Sequence, residues 1–71
     1  SICIVHDPLD FSLVDQSGFD LLLHGHTHRY THVLNGSQLM FNPGECAGLM
    51  PGLNAIGLVD LATLEAKVVR F

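Results

Sequence analysis

Apolar residues fall in short blocks along this chain, separated by polar positions or by breaks rich in glycine and proline. Ile2 to Val5 and Phe19 to Leu23 are mostly apolar runs, the pattern of strands in a sheet covered on both faces. Asp7-Pro8 breaks the chain after the first run, because a residue before proline is pushed toward extended or turn conformations. Asp10 as a cap, Phe11 and Val14 one turn apart and Gly18 as a stop predict a short helix through about Ser17. Tyr30 to Leu34 and Ser37 to Phe41 flank Asn35-Gly36, a dipeptide suited to the two positive φ angles of a type I′ turn, and so predict a hairpin. Asn42 through Gly52 reads as a loop. Asn54 to Leu61 and Ala66 to Phe71 read as a closing antiparallel pair that turns near Thr63. The chain shows no repeat, linker or low-complexity segment.

Composition sharpens this picture. The chain has 71 residues, 48% of them hydrophobic, with a mean hydropathy of +0.37. That is one small domain at most, and rich in apolar residues for a surface-to-volume ratio that demands polar covering. The expectation is that something covers part of it, either further chain or a second copy in a homo-oligomer. Ser1 leads directly into the first strand with no polar lead-in, so the segment reads as part of a larger domain.

A formal charge of −4, with no basic run, argues against a nucleic-acid or anionic-membrane surface, which needs clustered Lys and Arg. No apolar stretch approaches the ~18 residues of a membrane span and no basic leader precedes a cleavage site. A soluble cytoplasmic protein is the default expectation. Cys3 and Cys46 then read as two small buried hydrophobes in a reducing compartment rather than as a disulfide or metal thiolates.

The candidate chemistry lies in Leu-Leu-Leu-His-Gly-His-Thr-His-Arg-Tyr-Thr-His, Leu21 to His32, which holds four of the chain's 5 histidines. Residues two apart on a helix point in nearly opposite directions, so His24, His26 and His28 could not share a helical face. Gly25 and the change to polar residues instead end the strand there, placing His26 and His28 in the loop at a strand's carboxyl end. That is the usual place for ligand chemistry in α/β sheets. His6 ends the first run in the same way. Two or three imidazoles on one rim suit Zn, Mn, Fe or Ni. A single histidine taken alone is more often a hydrogen-bonded or solvated residue; the Gly-His-x-His unit together with a second strand-end histidine reverses that preference.

Leu-His-Gly-His-Thr-His resembles the Gly-His-x-His signature of the calcineurin-like metallophosphoesterases. Phe-Asn-Pro-Gly-Glu-Cys, Phe41 to Cys46, resembles the Asn-Pro-Gly loop of their small bacterial and archaeal phosphodiesterase branch. The order of elements is similar as well. The resemblance implies an α/β fold, mostly β in this segment, and part of a two-sheet α/β/β/α sandwich. Residues 1–71 would be the C-terminal portion of a single such domain, without its N-terminal half. It implies hydrolysis of a phosphodiester or phosphomonoester substrate by metal-bound hydroxide, with two divalent metal ions (Mn, Zn, Fe or Ni) in the complete domain. His6 and His26 would be ligands of one ion and His28 of the other.

Other residues are implied less directly. His24 would pack beside the site, and Arg29, Asn42 and Glu45 are candidates for substrate contact or for shaping the site; His32 matches no ligand. Where the family has His-Gly, this chain has His6-Asp7-Pro8, and Asp7 would repel a phosphate unless turned toward a metal or Arg29. The family's N-terminal Asp-x-His, bridging Asp and Asn ligands have no counterpart here, so the 71 residues alone are expected to be inactive. Two other readings stay open: a non-catalytic interaction scaffold of the same fold, and a mononuclear zinc module completed by Asp7 or Glu45.

Overall fold

A computed structural model describes residues 1–71. The apolar blocks form six strands: β1 (Ile2–Ile4), β2 (Leu21–Leu23), β3 (Thr31–Asn35), β4 (Gln38–Asn42), β5 (Ala55–Asp60) and β6 (Glu65–Arg70). The first four make a mixed sheet in the order β1-β2-β4-β3, and β5 and β6 pair antiparallel as a second sheet. Within the mixed sheet β1, β2 and β4 run parallel, with Ile2 beside Leu21 and Leu21 beside Leu39. The carboxyl ends of all three therefore lie on one rim.

Period-two side-chain alternation decides which residues meet between the sheets. Leu21, Leu39 and Phe41 are buried on the face turned to β5 and β6, where Leu23, Val59, Leu64, Ala66 and Val68 pack against them. Gly57 in β5 makes this approach close: a Cβ there would stand inside the van der Waals contact distance of Phe41 Cε2 and 2.9 Å from its Cζ.

The strands expected from the sequence are present, but β1 is not covered on both faces. Ile4 is 73% exposed. β1 is the outer strand of its sheet, and the core under β5 and β6 is built from β2 and β4 without it.

The expected helix from Asp10 is replaced by two 3-10 turns, Pro8–Leu13 and Gln16–Gly18. Asp7, not Asp10, is the cap: its side chain accepts from the Leu9 amide at 2.9 Å, with Pro8 at the first position, where a missing N–H costs nothing. Val14 leaves the helical region, and Asp15 caps again, its carboxylate accepting from the Ser17 amide at 3.0 Å and hydroxyl at 2.6 Å. A second capping residue so soon after the first competes with helix continuation. The Ser17 hydroxyl and then its amide hold the Asp15 carboxyl below the usual carboxylate range. Its contribution to stability is present above that range and is lost as pH falls through the lowered value.

The hairpin forms one residue later than the dipeptide implies. Asn35 pairs with Gln38, leaving Gly36 and Ser37 as the two loop residues. Gly36 has φ +62° and neither Asn35 nor Ser37 has a positive φ, the glycine-first pattern of a type II′ turn instead of type I′. The pairing moves by two, so every side chain stays on its expected face. Gly36→Ala should therefore lower stability by about 1–2 kcal/mol, since a Cβ disfavours positive φ. A shift of the urea midpoint with unchanged slope would show it; no shift would mean that the turn tolerates a Cβ.

No helix is long and apolar enough to cross a membrane. Both cysteines are free, Cys3 half-buried and Cys46 exposed; the expectation of a buried Cys46 fails because its loop lies outside both sheets.

Candidate metal centre on the parallel-strand rim

Three strand ends build the site. β1 is followed by Val5-His6-Asp7, β2 by His24 to His28, and β4 by Pro43-Gly44-Glu45. The parallel ladder runs on into these segments: the Val5 amide donates to the Leu23 carbonyl at 3.0 Å and the Gly25 amide to the His6 carbonyl at 3.1 Å. His6 and the Gly-His-Thr-His segment are thereby fixed side by side.

The backbone then turns sharply. The Thr27 amide donates to the Gly25 carbonyl at 2.7 Å, and His26 and His28 both adopt left-handed conformations, φ +66° and +58°. Such angles are uncommon outside glycine, although histidine is among the residues enriched there. They bring His26 Nδ1 to 3.0 Å from His6 Nε2, with ring centroids 4.8 Å apart. They also bring His28 Nδ1 to 3.3 Å from Glu45 Oε1.

Asp7 lies on the other side of the His26 ring, with Oδ2 3.8 Å from Nε2, while its second oxygen caps the following turn. The carboxylate is thus turned toward an imidazole and a backbone amide, and Arg29 forms no ion pair with it. Arg29 is exposed, and its backbone amide donates to the Thr27 hydroxyl at 3.3 Å.

Asn42 is the buried organiser of the rim, at 1% exposure. Its Nδ2 donates to the Thr27 hydroxyl at 3.2 Å and to the Gly25 carbonyl at 3.4 Å, and its Oδ1 accepts from the Gly44 amide at 3.0 Å. One side chain joins the histidine loop to the Asn-Pro-Gly loop. Gly44 has φ +109° and a Cβ on it would meet the Tyr30 backbone at 3.5 Å, so the second loop crosses close to the first. Thr27, the hub of these contacts, was not singled out by the sequence; a hydroxyl flanked by histidines carries no signal until its partner Asn42 is known.

His24 and His32 stand apart from the rim donors. His24 is buried, packs edge-on against Phe11 with centroids 6.0 Å apart, and its Nδ1 lies 3.0 Å from the Gly25 carbonyl. His32 is exposed on β3, stacked beside Tyr30 and edge-on to Phe41.

Whether this donor set fits a metal ion can be judged by distance. Two nitrogens 3.0 Å apart match the separation of neighbouring ligands at right angles around an ion with bonds of about 2.1 Å. No group of three or more His, Cys, Asp and Glu side chains converges closely enough to hold an ion. His6 and His26 thus fit as part of a donor set that needs further donors. Asp7 does not complete a site between them, because it faces the opposite nitrogen of His26.

No family model matches the chain. Among curated proteins, 49 residues, 69% of the chain, are 35% identical to the phosphodiesterase MJ0936 of Methanocaldococcus jannaschii, over 30% of that protein. Among solved structures, a chain described as a novel archaeal phosphodiesterase matches with a TM-score of 0.76 at 29% identity, covering 99% of this chain and 44% of that one. The chain therefore spans less than half the length of either relative.

Proposed function

We propose that this chain, by sequence and fold part of a metallophosphoesterase-like archaeal or bacterial protein, supplies one half of a site that hydrolyses a phosphodiester or phosphomonoester with two divalent metal ions. The observation that carries this reading is the meeting of His6 and His26 from two parallel strand ends, Nε2 and Nδ1 3.0 Å apart, with His28 two residues further along the same loop. Both relatives are named as phosphodiesterases.

His6 Nε2 and His26 Nδ1 would hold one cation together, and His28 the other. Bound divalent ions of this kind, Mn or Zn, polarise phosphoryl oxygens and make water more acidic. The chain's own residues then have separate tasks. Asn42 holds the two rim loops in register through Thr27 and Gly44. Asp7 places a carboxylate oxygen 3.8 Å from Nε2 on the far side of the His26 ring. Arg29, exposed next to the last ligand and free of carboxylate partners, is placed to bind a phosphate oxygen with its planar fork of donors.

With fewer than three donors converging, the isolated 71 residues should bind metal weakly and turn over nothing. Mixing the chain with the remainder of its domain, in manganese or zinc, should restore release of p-nitrophenol from bis(p-nitrophenyl) phosphate. Full activity of the 71 residues alone would refute the shared site. A mixture that assembles but stays silent would favour a non-catalytic scaffold, the reading that the sparse donor set also supports.

A further inference from the structure

We propose that Glu45 is a positioning residue that fixes the proton of His28 on Nδ1 and so leaves Nε2 as the bare nitrogen donor. The contact with Glu45 Oε1 at 3.3 Å is the one polar contact of the His28 ring. A carboxylate only accepts, and a neutral imidazole carries one N–H, so a lone pair on Nδ1 would face a lone pair on Oε1. The proton therefore sits on Nδ1.

The pair is held from both ends. The Glu45 carbonyl accepts from the Ala55 amide at 2.7 Å, at the start of β5. Asn42, through Gly44 on one side and Thr27 on the other, fixes the residues that precede Glu45 and His28. The partners are 17 residues apart in sequence, so their meeting depends on the pairing of β2 with β4, whose ends carry them. Side-chain exposures of 58% and 33% leave this contact too solvated to matter much as an ion pair. Orientation is the role that remains.

His26 behaves in the opposite sense. Its Nδ1 faces His6 and its Nε2 faces Asp7, so the two outer histidines of His-Thr-His present different ring nitrogens. This rests on the proposed hydrolase site only for what His28 Nε2 then binds; the tautomer is a property of the chain without metal.

The test uses the 15N-labelled, metal-free chain assembled with the remainder of its domain, at a pH well above the imidazole reference value of ~6.5, with two-bond 1H–15N correlation spectra reporting each ring's tautomer. Wild-type His28 should be protonated on Nδ1. E45Q, the same shape but able to donate as well as accept, should raise the Nε2–H population, and E45A should raise it further. Backbone amide spectra confirm that each variant is folded. Titration with Zn should then show affinity reduced by about 10–100-fold in E45A, the usual effect of losing the partner that orients a histidine ligand. Nε2–H in the wild type, or identical tautomers in all three proteins, would overturn the proposal. The Nδ1–H form in a chain that assembles with its counterpart yet binds no metal would uphold Glu45 and remove the hydrolase reading instead.

Discussion

His26→Ala and His28→Ala are each expected to lower kcat/KM for phosphoester hydrolysis by the complete domain on the order of 100-fold or more, because each removes a donor on which cation placement depends. His32→Ala should leave the rate within a factor of about two, as its exposed ring lies beside Tyr30 and Phe41 and makes no contact with the rim donors. Alanine introduces a second change, since His26 and His28 have φ +66° and +58° and a Cβ residue without local hydrogen bonding resists that region. Asparagine tolerates it better. His26→Asn and His28→Asn therefore keep the loop while removing the imidazole, and should be nearly as inactive as the alanine variants. Steady-state rates beside metal content distinguish the cases. Equal losses from all three alanine substitutions would sink the ligand assignment, and active asparagine variants would assign the effect to the backbone.

Gly57→Ala should destabilise the fold by about 1–3 kcal/mol, the usual result of forcing a methyl into a filled core. The new Cβ would press on Phe41, which is 2% exposed, and stand 3.3 Å from Pro43 Cβ. Neither neighbour can retreat easily. Phe41 lies between the sheets and its carbonyl accepts from the His24 amide at 3.3 Å, so displacing it disturbs the strand end that carries the histidines. Phe41→Leu removes the outer ring atoms; the double variant should lose at least about 1 kcal/mol less than the two single losses added together, as expected for residues in contact. Urea denaturation of the four proteins measures the coupling. Strict additivity would mean that Gly57 is not required by the Phe41 ring.

The strands were readable because their apolar blocks are short and their breaks chemically explicit, as at Asp7-Pro8 and Gly36. The segment between β1 and β2 was not, because Asp7, Asp10 and Asp15 are all competent caps and only tertiary placement chooses among them. Exposure of Ile4 was equally invisible: an apolar run signals a strand that can be covered, and says nothing of what covers it. At the site, the meeting of His6 and His26 follows from parallel strands ending together, which the sequence pattern supports, while His28 turns to Glu45 instead of joining them. The pairings of His28 with Glu45 and of His26 with Asp7 do not follow, since they depend on two left-handed residues that no periodicity announces. Asn42 was visible as part of a turn, but its burial and its reach to Thr27 came only with the fold.

The strand order has a kinetic consequence. β3 with β4, and β5 with β6, are neighbours in sequence joined by short turns, and hairpins of this kind close in about 1–10 μs. The rim contacts bridge 20 residues between His6 and His26 and 17 between His28 and Glu45, and the parallel pairings they extend require loop closure before any contact rewards it. The imidazole rim is thus expected to form late, with φ-values near zero in the folding transition state. On that expectation, changes there act on the rate of unfolding and leave the rate of folding alone, which would free the site chemistry to vary without obstructing the route by which the chain reaches its native state.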